Sequence, residues 1–337
     1  MIKRLGLIVA VLVCALALGA CKMVEQLKKT GEAAKAAASA ATEQAAGPSS
    51  EEEKDGQLSD KLEGYIYCMN YETRSVYRLK DMYLRDIDEA KGPTGKERNV
   101  YVNNLSADAC LKRIDEAKAK QPSMPELETA AADYQTTLAA LDKLSQTAHD
   151  YYDHKDFKDD KFAKGIAMHK PLMDALGAFE KADKTFEDKV TTLNDGIQQR
   201  RLVRLQKDPK AQLEYRIAKS IDDAKKLVHL AEVESLAKLD DKAYNAALAA
   251  YEATYNDMTT YIQDHKAEAD KVMSLSFFTN ASSYYLKAAK ELMRRKRDNK
   301  DFSKEFGSPE NVDGHPAQVL AKYNDMINHS NGLRFRN

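Results

Sequence analysis

Apolar residues recur every three or four positions along most of this 337-residue chain. Between about residues 59 and 89, this spacing places on one face Leu62, Ile66, Met69, Thr73, Val76, Tyr83 and Ile87. The spacing is that of an α-helix, whereas a half-buried β-strand alternates with a period of two. No segment shows sustained alternation with β-branched residues. The sequence therefore predicts an all-α fold, a large antiparallel bundle of long helices with no sheet.

The same spacing predicts further helices, separated by proline and glycine. They cover about residues 125–152, 161–205, 211–238, 240–272, 275–299 and 317–328, with a short helix after Ser106 that carries Cys110. Pro125 suits a first helical turn, and Pro171 marks a candidate bend in the longest helix. Ser106 is the expected N-cap of the short helix.

Charge and composition restrict the partners. The chain has 52 Lys and Arg against 53 Asp and Glu, and it lacks tryptophan. This near balance argues against a nucleic-acid partner, which would favour a basic surface. Alanine, leucine, lysine and aspartate dominate, as is typical of helical proteins.

The N-terminus has the pattern of an export signal. Lys3 and Arg4 precede an apolar run, residues 5–18, which is short for a membrane span. Leu18-Gly19-Ala20-Cys21 resembles the bacterial lipobox, in which the cysteine receives a diacylglycerol and the signal is cut before it. The resemblance implies a signal peptide at 1–20 and lipidation at Cys21, and Lys22 in place of aspartate implies the outer membrane, facing the periplasm. The alternative is a plain cleaved signal with an unrelated cysteine.

Two regions are predicted after the signal. Residues 21–56 are rich in alanine, serine and glutamate and carry few large apolar side chains, so we expect a disordered tether spanning roughly 30 Å on average. Residues 57–330 contain no long linker and are expected to form one periplasmic all-α domain.

The cysteines suggest one disulfide. Cys14 lies in the signal and Cys21 is the lipid site, which leaves Cys68 and Cys110. In an oxidising compartment, two remaining cysteines indicate a bridge, which the chain-entropy model values at about 4 kcal/mol for this separation. Two free buried thiols are the alternative.

Several segments resemble one protein family. They are YIYCMNYETRSVYRLKDMYL, YYDHKDFKDDKFAKGIAMHKPLMDAL and SFFTNASSYYLKAAKELMRRKR, and YYDHKDFKDDKFAKG is the most specific. The chain resembles the YiiG-like bacterial lipoproteins, which share a domain of unknown function (3829), over most of residues 57–330. The resemblance implies a helical periplasmic protein with no established activity, and it supplies no catalytic residue.

Three groups of side chains are candidates for weak metal binding. His229 with Glu232, and His265 with Glu268, each place a histidine and a carboxylate on one helix face. A third group comprises His149, Asp153 and His154, with Asp150 and Asp156 nearby. Surface ion pairs and solvated helix ends are the simpler interpretations, so no cofactor is expected and a metal remains the alternative.

Two other features suggest binding surfaces. Tyrosines that would line a cup for a sugar or lipid are Tyr65, Tyr67, Tyr71, Tyr77, Tyr83, Tyr151, Tyr152, Tyr284 and Tyr285, although tyrosines commonly span core and surface in bundles. QQRRLVRLQKDPK and MRRKRDNK concentrate positive charge at helix ends, where it complements the helix dipole or meets an anionic envelope polymer.

The sequence contains no recognisable catalytic motif, neither G-x-S-x-G, H-E-x-x-H nor a phosphate-binding glycine loop. We therefore expect no enzyme. The leading hypothesis is a membrane-anchored bundle that contacts an envelope protein or the cell wall. A periplasmic metal- or small-ligand-binding protein is the alternative, and a cell-wall hydrolase is a third class.

Overall fold

The computed structural model describes residues 50–233, 235–302, 305 and 307–335. The helices are α1 (Ser50–Cys68), α2 (Arg74–Asp86), α3 (Asp108–Ala119), α4 (Pro125–Asp153), α5 (Ala163–Lys207), α6 (Gln212–Leu230), α7 (Asp241–Asp264), α8 (Lys266–Ala269), α9 (Leu275–Arg297) and α10 (Pro316–Asn331). A π-helical segment, Met69–Thr73, joins α1 to α2. Two short strands, β1 (Val272–Met273) and β2 (Arg334–Phe335), pair antiparallel. The all-α prediction is confirmed, and the strand pair is the one departure from it in the described chain.

The longest helix organises the first part of the molecule. α5 has 45 residues and a length of about 68 Å, and it continues past Pro171. α4 packs along it, and α4 begins with Pro125 in its first turn, as the sequence predicts. α1 and the π-helical segment also contact α5.

Buried apolar side chains form two clusters that divide near the turn between α5 and α6. The first cluster comes from α1 to α5 and from the long loop after α2, which contributes Val100, Val102 and Leu105. The second comes from α6 to α10 and includes Leu239 and Leu333 outside the helices. α6 contacts α5 of the first cluster, and it also contacts α7 and α10 of the second. It therefore lies at the junction between the two clusters.

Several predicted boundaries differ from the observed ones. α1 begins at Ser50, inside the segment predicted to be a tether, because Asp55 is buried against Arg200 and Arg204 of α5. α6 and α7 end earlier than predicted. Ala107 is the N-cap of α3, so the predicted cap at Ser106 is wrong. Among the described helices, none combines the length and apolar character that a membrane span requires.

Candidate functional site

The disulfide joins α1 to α3. Cys68 and Cys110 are bonded, with their Cα atoms 5.1 Å apart, and both side chains are fully buried. The two helices approach closely at Gly64, where an added Cβ would lie 2.8 Å from the carbonyl oxygen of Arg113. The predicted bridge is confirmed, and its burial makes it a structural link between helices.

The His149 group lies at the end of α4 and serves the fold. The Nδ1 of His149 donates to the carbonyl oxygen of Val102 at 2.7 Å, which attaches the long loop to α4. His154 is the C-cap residue, and its backbone N–H donates to Asp150. Asp153 is the last residue of the helix. Within the described residues, no group of three or more His, Cys, Asp or Glu side chains is placed to hold a metal ion.

The segment YYDHKDFKDDKFAKG covers the last residues of α4, the turn that follows and the first residues of α5. The hydroxyl of Tyr151 donates to Asp160 Oδ1 at 2.7 Å, and the backbone N–H of Lys164 donates to Asp160 Oδ2 at 2.9 Å. The rings of Phe157 and Phe162 are buried, with centroids 4.7 Å apart. These contacts fix the start of α5, so this distinctive segment has a structural role.

The two His-x-x-Glu pairs have different surroundings. His265 stacks on the ring of Tyr261, with centroids 3.9 Å apart, and Glu268 accepts a hydrogen bond of 2.9 Å from the Tyr261 hydroxyl. His265 and Glu268 therefore both contact Tyr261 in the last turn of α7. His229 Nδ1 lies 3.3 Å from Glu232 Oε1 at the end of α6, and His229 also borders a cleft.

That cleft lies between α5, α6 and α10 and has a volume of about 180 Å³. Its lining residues from α5 are Asn194, Asp195, Gln198, Gln199, Arg201 and Leu202; those from α6 are Glu214, Ile217, Ala218, Ile221, Asp222, Lys225, Lys226 and His229; and those from α10 and beyond are Tyr323, Ile327, Ser330 and Leu333. The α6 residues recur every three or four positions and thus present one helix face. The cleft is the candidate functional site, and it lies at the junction of the two apolar clusters.

Charged side chains at the edge of the cleft neutralise one another. Arg201 pairs with Glu214 at 2.6 Å across the α5–α6 turn. Farther along the helices, Lys225 of α6 pairs with Asp195 of α5. Lys226 pairs within α6, at 2.7 Å from Asp222. The cleft therefore has an apolar interior and an edge of closed ion pairs.

Asn194 is the polar exception in the cleft. Its side chain is only 3% exposed, and its Oδ1 atom has no hydrogen-bond partner among the residues that the structure describes. An unsatisfied buried acceptor costs about 1–3 kcal/mol. The Oδ1 atom is itself inaccessible to solvent, so it is enclosed by the packing of α5 although the residue borders the cleft.

Carboxylates lie beyond Asn194 toward the end of α6. Burial raises the pKa of Glu187, and the negative charges of Asp188 and Glu232 raise it further, while Lys184 and His229 act in the opposite direction. Glu187 and Asn194 are seven residues apart, two turns along the same face of α5. Glu187 and Glu232 are close to His229 but are not among the residues that line the cleft.

A second polar group is enclosed within the first apolar cluster. Thr73 of the π-helical segment donates to Asp183 Oδ1 at 2.7 Å and lies 3.1 Å from the hydroxyl of Tyr134. Asp183 is 3% exposed, and burial raises its pKa to about 7, with further increases from Glu187 and Glu180. Sequence reasoning did not identify Asp183. The available signal was a carboxylate on an apolar helix face, between Phe179 and Phe186.

The tyrosines do not form one cup. Tyr65, Tyr83, Tyr151 and Tyr152 are buried in the first cluster and Tyr285 in the second, whereas Tyr71 and Tyr284 are exposed.

Several arginines of the two basic segments form ion pairs within the protein: Arg200 and Arg204 bind Asp55, and Arg295 binds Glu305. The aromatic and basic groups thus have mainly structural roles.

The described residues form a helical protein whose candidate site is the cleft between α5, α6 and α10. The family described as "Protein of unknown function (DUF3829)" matches residues 56–332, and the chain belongs to this family. The chain is also 29% identical to the uncharacterized protein YiiG of Escherichia coli (strain K12) over 293 residues, which cover 82% of this chain and 79% of YiiG. These findings confirm the family resemblance seen in the sequence. No solved structure gives a significant match.

Proposed function

We propose that this protein is an outer-membrane lipoprotein facing the periplasm, and that it acts by binding an envelope partner and not by catalysis. The anchor rests on the sequence: Cys21 follows an export signal with small residues before it. Cys21, the signal at 1–20 and most of the tether lie outside the described residues. α1 begins at Ser50, so 28 residues of the printed sequence, 22–49, separate it from Cys21.

The cleft is the observation that supports a binding role. Pockets for small molecules and cofactors usually have volumes of about 300–1,000 Å³, whereas this cleft has about 180 Å³. It is large enough for one or two side chains of a partner. An apolar centre surrounded by polar groups is also the usual organisation of a protein interface.

A non-catalytic role is consistent with the state of the titratable groups. The cleft cations Arg201, Lys225 and Lys226 are held in ion pairs. The carboxyl of Asp183 has the raised pKa that is common in active sites, but it is enclosed by the first cluster and does not border the cleft.

A periplasmic metal- or small-ligand-binding protein is the second candidate. It is favoured by the position of His229, which borders the cleft and lies close to Glu232. Native mass spectrometry with elemental analysis separates the two candidates. A stoichiometric metal that is lost in His229→Ala would support the second candidate, and a metal-free chain would support the first.

The anchor is tested by cell fractionation of wild type and Cys21→Ala. We expect wild type in the outer-membrane fraction and the variant outside it. A Cys21→Ala variant that still sediments with the outer membrane would contradict lipid anchoring.

Partner binding is tested with a photo-crosslinking amino acid at Ala218, which borders the cleft. The same amino acid at Thr147, an exposed position on α4, is the control. We expect a discrete adduct from position 218 in intact cells and none of that mass from position 147. Identical adducts from both positions would contradict a role for the cleft.

A further inference from the structure

We propose that a solvent-facing surface of the first helices binds a glycan chain bearing carboxylates, with the sugar rings on its tyrosines and the carboxylates on its arginines. We call this surface the aromatic–basic face, and it consists of Tyr67, Tyr71, Arg74, Arg78 and Arg113. These residues belong to α1, the π-helical segment, α2 and α3. None of them lines the cleft, so the inference adds a second binding surface to the proposed function.

The first argument is a pair of tyrosine rings. The ring centroids of Tyr67 and Tyr71 are 4.6 Å apart, and the guanidinium carbon of Arg113 lies 4.0 Å from the Tyr67 centroid. The Tyr71 side chain is 60% exposed, so much of its ring is open to solvent. The face of an aromatic ring is negative and attracts the weakly positive C–H groups on one side of a sugar ring. A sugar can therefore stack on this pair.

The rings are held in place by the surrounding structure. Cys68 follows Tyr67 directly in α1, and Cys110 lies three residues before Arg113 in α3. The buried disulfide between these cysteines therefore joins the two helices beside the rings. Tyr71 belongs to the π-helical segment, a rare element that occurs often at functional sites. A surface arranged before the ligand arrives loses less entropy on binding.

The second argument is the charge of the aromatic–basic face. Arg74, Arg78 and Arg113 are exposed, and within the described residues none of them forms an ion pair. Their planar guanidiniums can each bind a carboxylate through two parallel hydrogen bonds.

Neighbouring carboxylates do not cancel this charge. Glu63 is exposed one turn before the first tyrosine, and Asp81, beyond Arg78, already has an interaction of its own. Glu72 is half-buried, and burial and the charge of Asp142 in α4 both raise its pKa. The three guanidiniums of the face therefore outnumber the carboxylates beside them, which gives complementarity to an anionic chain.

The third argument is the length of the aromatic–basic face. Tyr67 and Arg78 are about 16 Å apart along the helix axis, and Arg74 lies one turn before Arg78. A row of this length meets several successive sugars, whereas a free phosphate would engage one or two arginines and leave the tyrosines uncovered. An acidic peptide usually adds to a sheet edge or enters a groove, and an exposed helix side offers neither.

The test uses three probes titrated by calorimetry at low ionic strength into residues 21–337 carrying Cys21→Ser. Trigalacturonate has one carboxylate on each sugar, its trimethyl ester has the same rings without charge, and acetyl-triglutamate amide has the charges without sugar rings. We expect trigalacturonate to bind about tenfold more tightly than either of the others, because it alone uses both arginines and tyrosines. An ester that binds equally well would overturn the role of charge, and a triglutamate that binds equally well would assign the face to an acidic peptide. Either result would overturn the inference.

Variants at exposed positions sharpen the test. Tyr71→Ala should weaken the binding of trigalacturonate about fivefold, because it removes the exposed ring. Tyr284→Ala is the matched control, since Tyr284 is also 60% exposed but lies on α9. Arg74→Gln with Arg78→Gln should weaken this binding about tenfold, and Arg98→Gln, at an exposed position of the loop after α2, should leave it unchanged.

Thermal unfolding of each variant confirms that it folds. A Tyr71→Ala protein, or one with both arginine substitutions, that folds and binds trigalacturonate like wild type would overturn the inference.

The two proposals fail in different ways. An adduct at position 218 in cells, together with equal affinities for the three probes, would support the role of the cleft and overturn the glycan inference. Selective binding of trigalacturonate without any adduct in cells would support the aromatic–basic face and contradict the role of the cleft.

Discussion

The two apolar clusters differ in the contacts that connect their helices. In the first cluster, the Cys68–Cys110 bridge is buried, and the fully buried Lys61 donates to Lys120 O at 3.0 Å and to Glu128 at 2.6 Å. Asp183 forms a third such contact, with Thr73. The first cluster therefore depends on redox state and on ionisation.

In the second cluster, tyrosine hydroxyls make the corresponding contacts between helices. Tyr244 donates to Ala289 O at 3.2 Å, Tyr251 to Ser282 O at 3.0 Å and Tyr285 to Ala224 O at 2.9 Å. The chain has no cysteine beyond Cys110. Neutral phenol-to-carbonyl bonds do not change with redox state and change little with pH near neutrality. Among the described residues, the disulfide and the fully buried lysine belong to the first cluster, whereas the most buried links between helices of the second are neutral tyrosine hydrogen bonds.

The largest expected effect is on the disulfide. Replacing Cys68 and Cys110 with alanine should lower the free energy of unfolding by about 4 kcal/mol, because the bridge constrains the unfolded chain. Urea unfolding followed by circular dichroism measures this change. Hydrogen exchange should accelerate in α1 and α3 and remain near wild type in α7 and α9. Equal acceleration in all four helices would contradict the separate stabilisation of the two clusters.

The second expected effect is a pH dependence caused by Asp183. The pKa of Asp183 is about 7 in the folded state, whereas its ordinary value is 3.8. As the pH rises from about 4 to about 7, the unfolded chain loses this proton while the folded protein keeps it, and this difference favours unfolding. Stability from this group is complete below about pH 4 and declines through pH 7. At about 1.4 kcal/mol per pKa unit, the loss is at most roughly 4 kcal/mol. Asp183→Asn should abolish this pH dependence of the free energy of unfolding, which urea unfolding at pH 4.5–8 measures. Parallel pH profiles of the wild type and the variant would contradict the role of Asp183.

A smaller effect is expected from one hydroxyl in the second cluster. Tyr285→Phe removes the bond to Ala224 O and should cost about 1–2 kcal/mol in the free energy of unfolding. Tyr284→Phe is the matched control at the adjacent position, where the side chain is 60% exposed, and should change stability little. Chemical unfolding measures the free energy of unfolding of both variants. Similar losses in the two variants would contradict a specific role for the Tyr285 hydroxyl.

The smallest expected effect concerns the start of α1. Asp55→Asn weakens the contacts to Arg200 and Arg204, which are 2.6 and 2.7 Å long. Because Arg200 is partly exposed, solvent screening limits the loss to about 1 kcal/mol. Hydrogen exchange should accelerate in residues 50–58 only. Glu53→Gln, at an exposed position of the same helix, should leave exchange unchanged, and a Glu53→Gln effect of equal size would contradict a specific role for Asp55.

The sequence predicted most of the helices because local periodicity determines them. Leu62, Ile66 and Thr73 are buried on one face, as their spacing indicates. The disulfide was predictable because only two cysteines remained after the signal and lipid sites were assigned. Boundaries were less accurate: the start of α1 depends on Asp55 contacting Arg200, which lies 145 residues away.

The cleft was not predictable from local pattern. It forms because α10 returns, more than 100 residues after α5, to pack beside α6, and no spacing rule encodes that approach. His229 was identified as a candidate for metal binding, and the structure places it at the cleft, in no group of three or more potential metal ligands among the described residues. Asn194 carried no sequence signal, since a single asparagine in a long helix is common.

Hydrogen exchange of the membrane-bound protein tests the central claim, that the cleft between the two clusters is where a partner binds. Wild type in outer-membrane preparations is compared with the purified Cys21→Ser protein, peptide by peptide. We predict exchange at least about tenfold slower on the membrane in residues 190–230 and 316–333, with residues 125–153 unchanged. Slowing confined to residues 125–153, or spread equally over both clusters, would contradict the account.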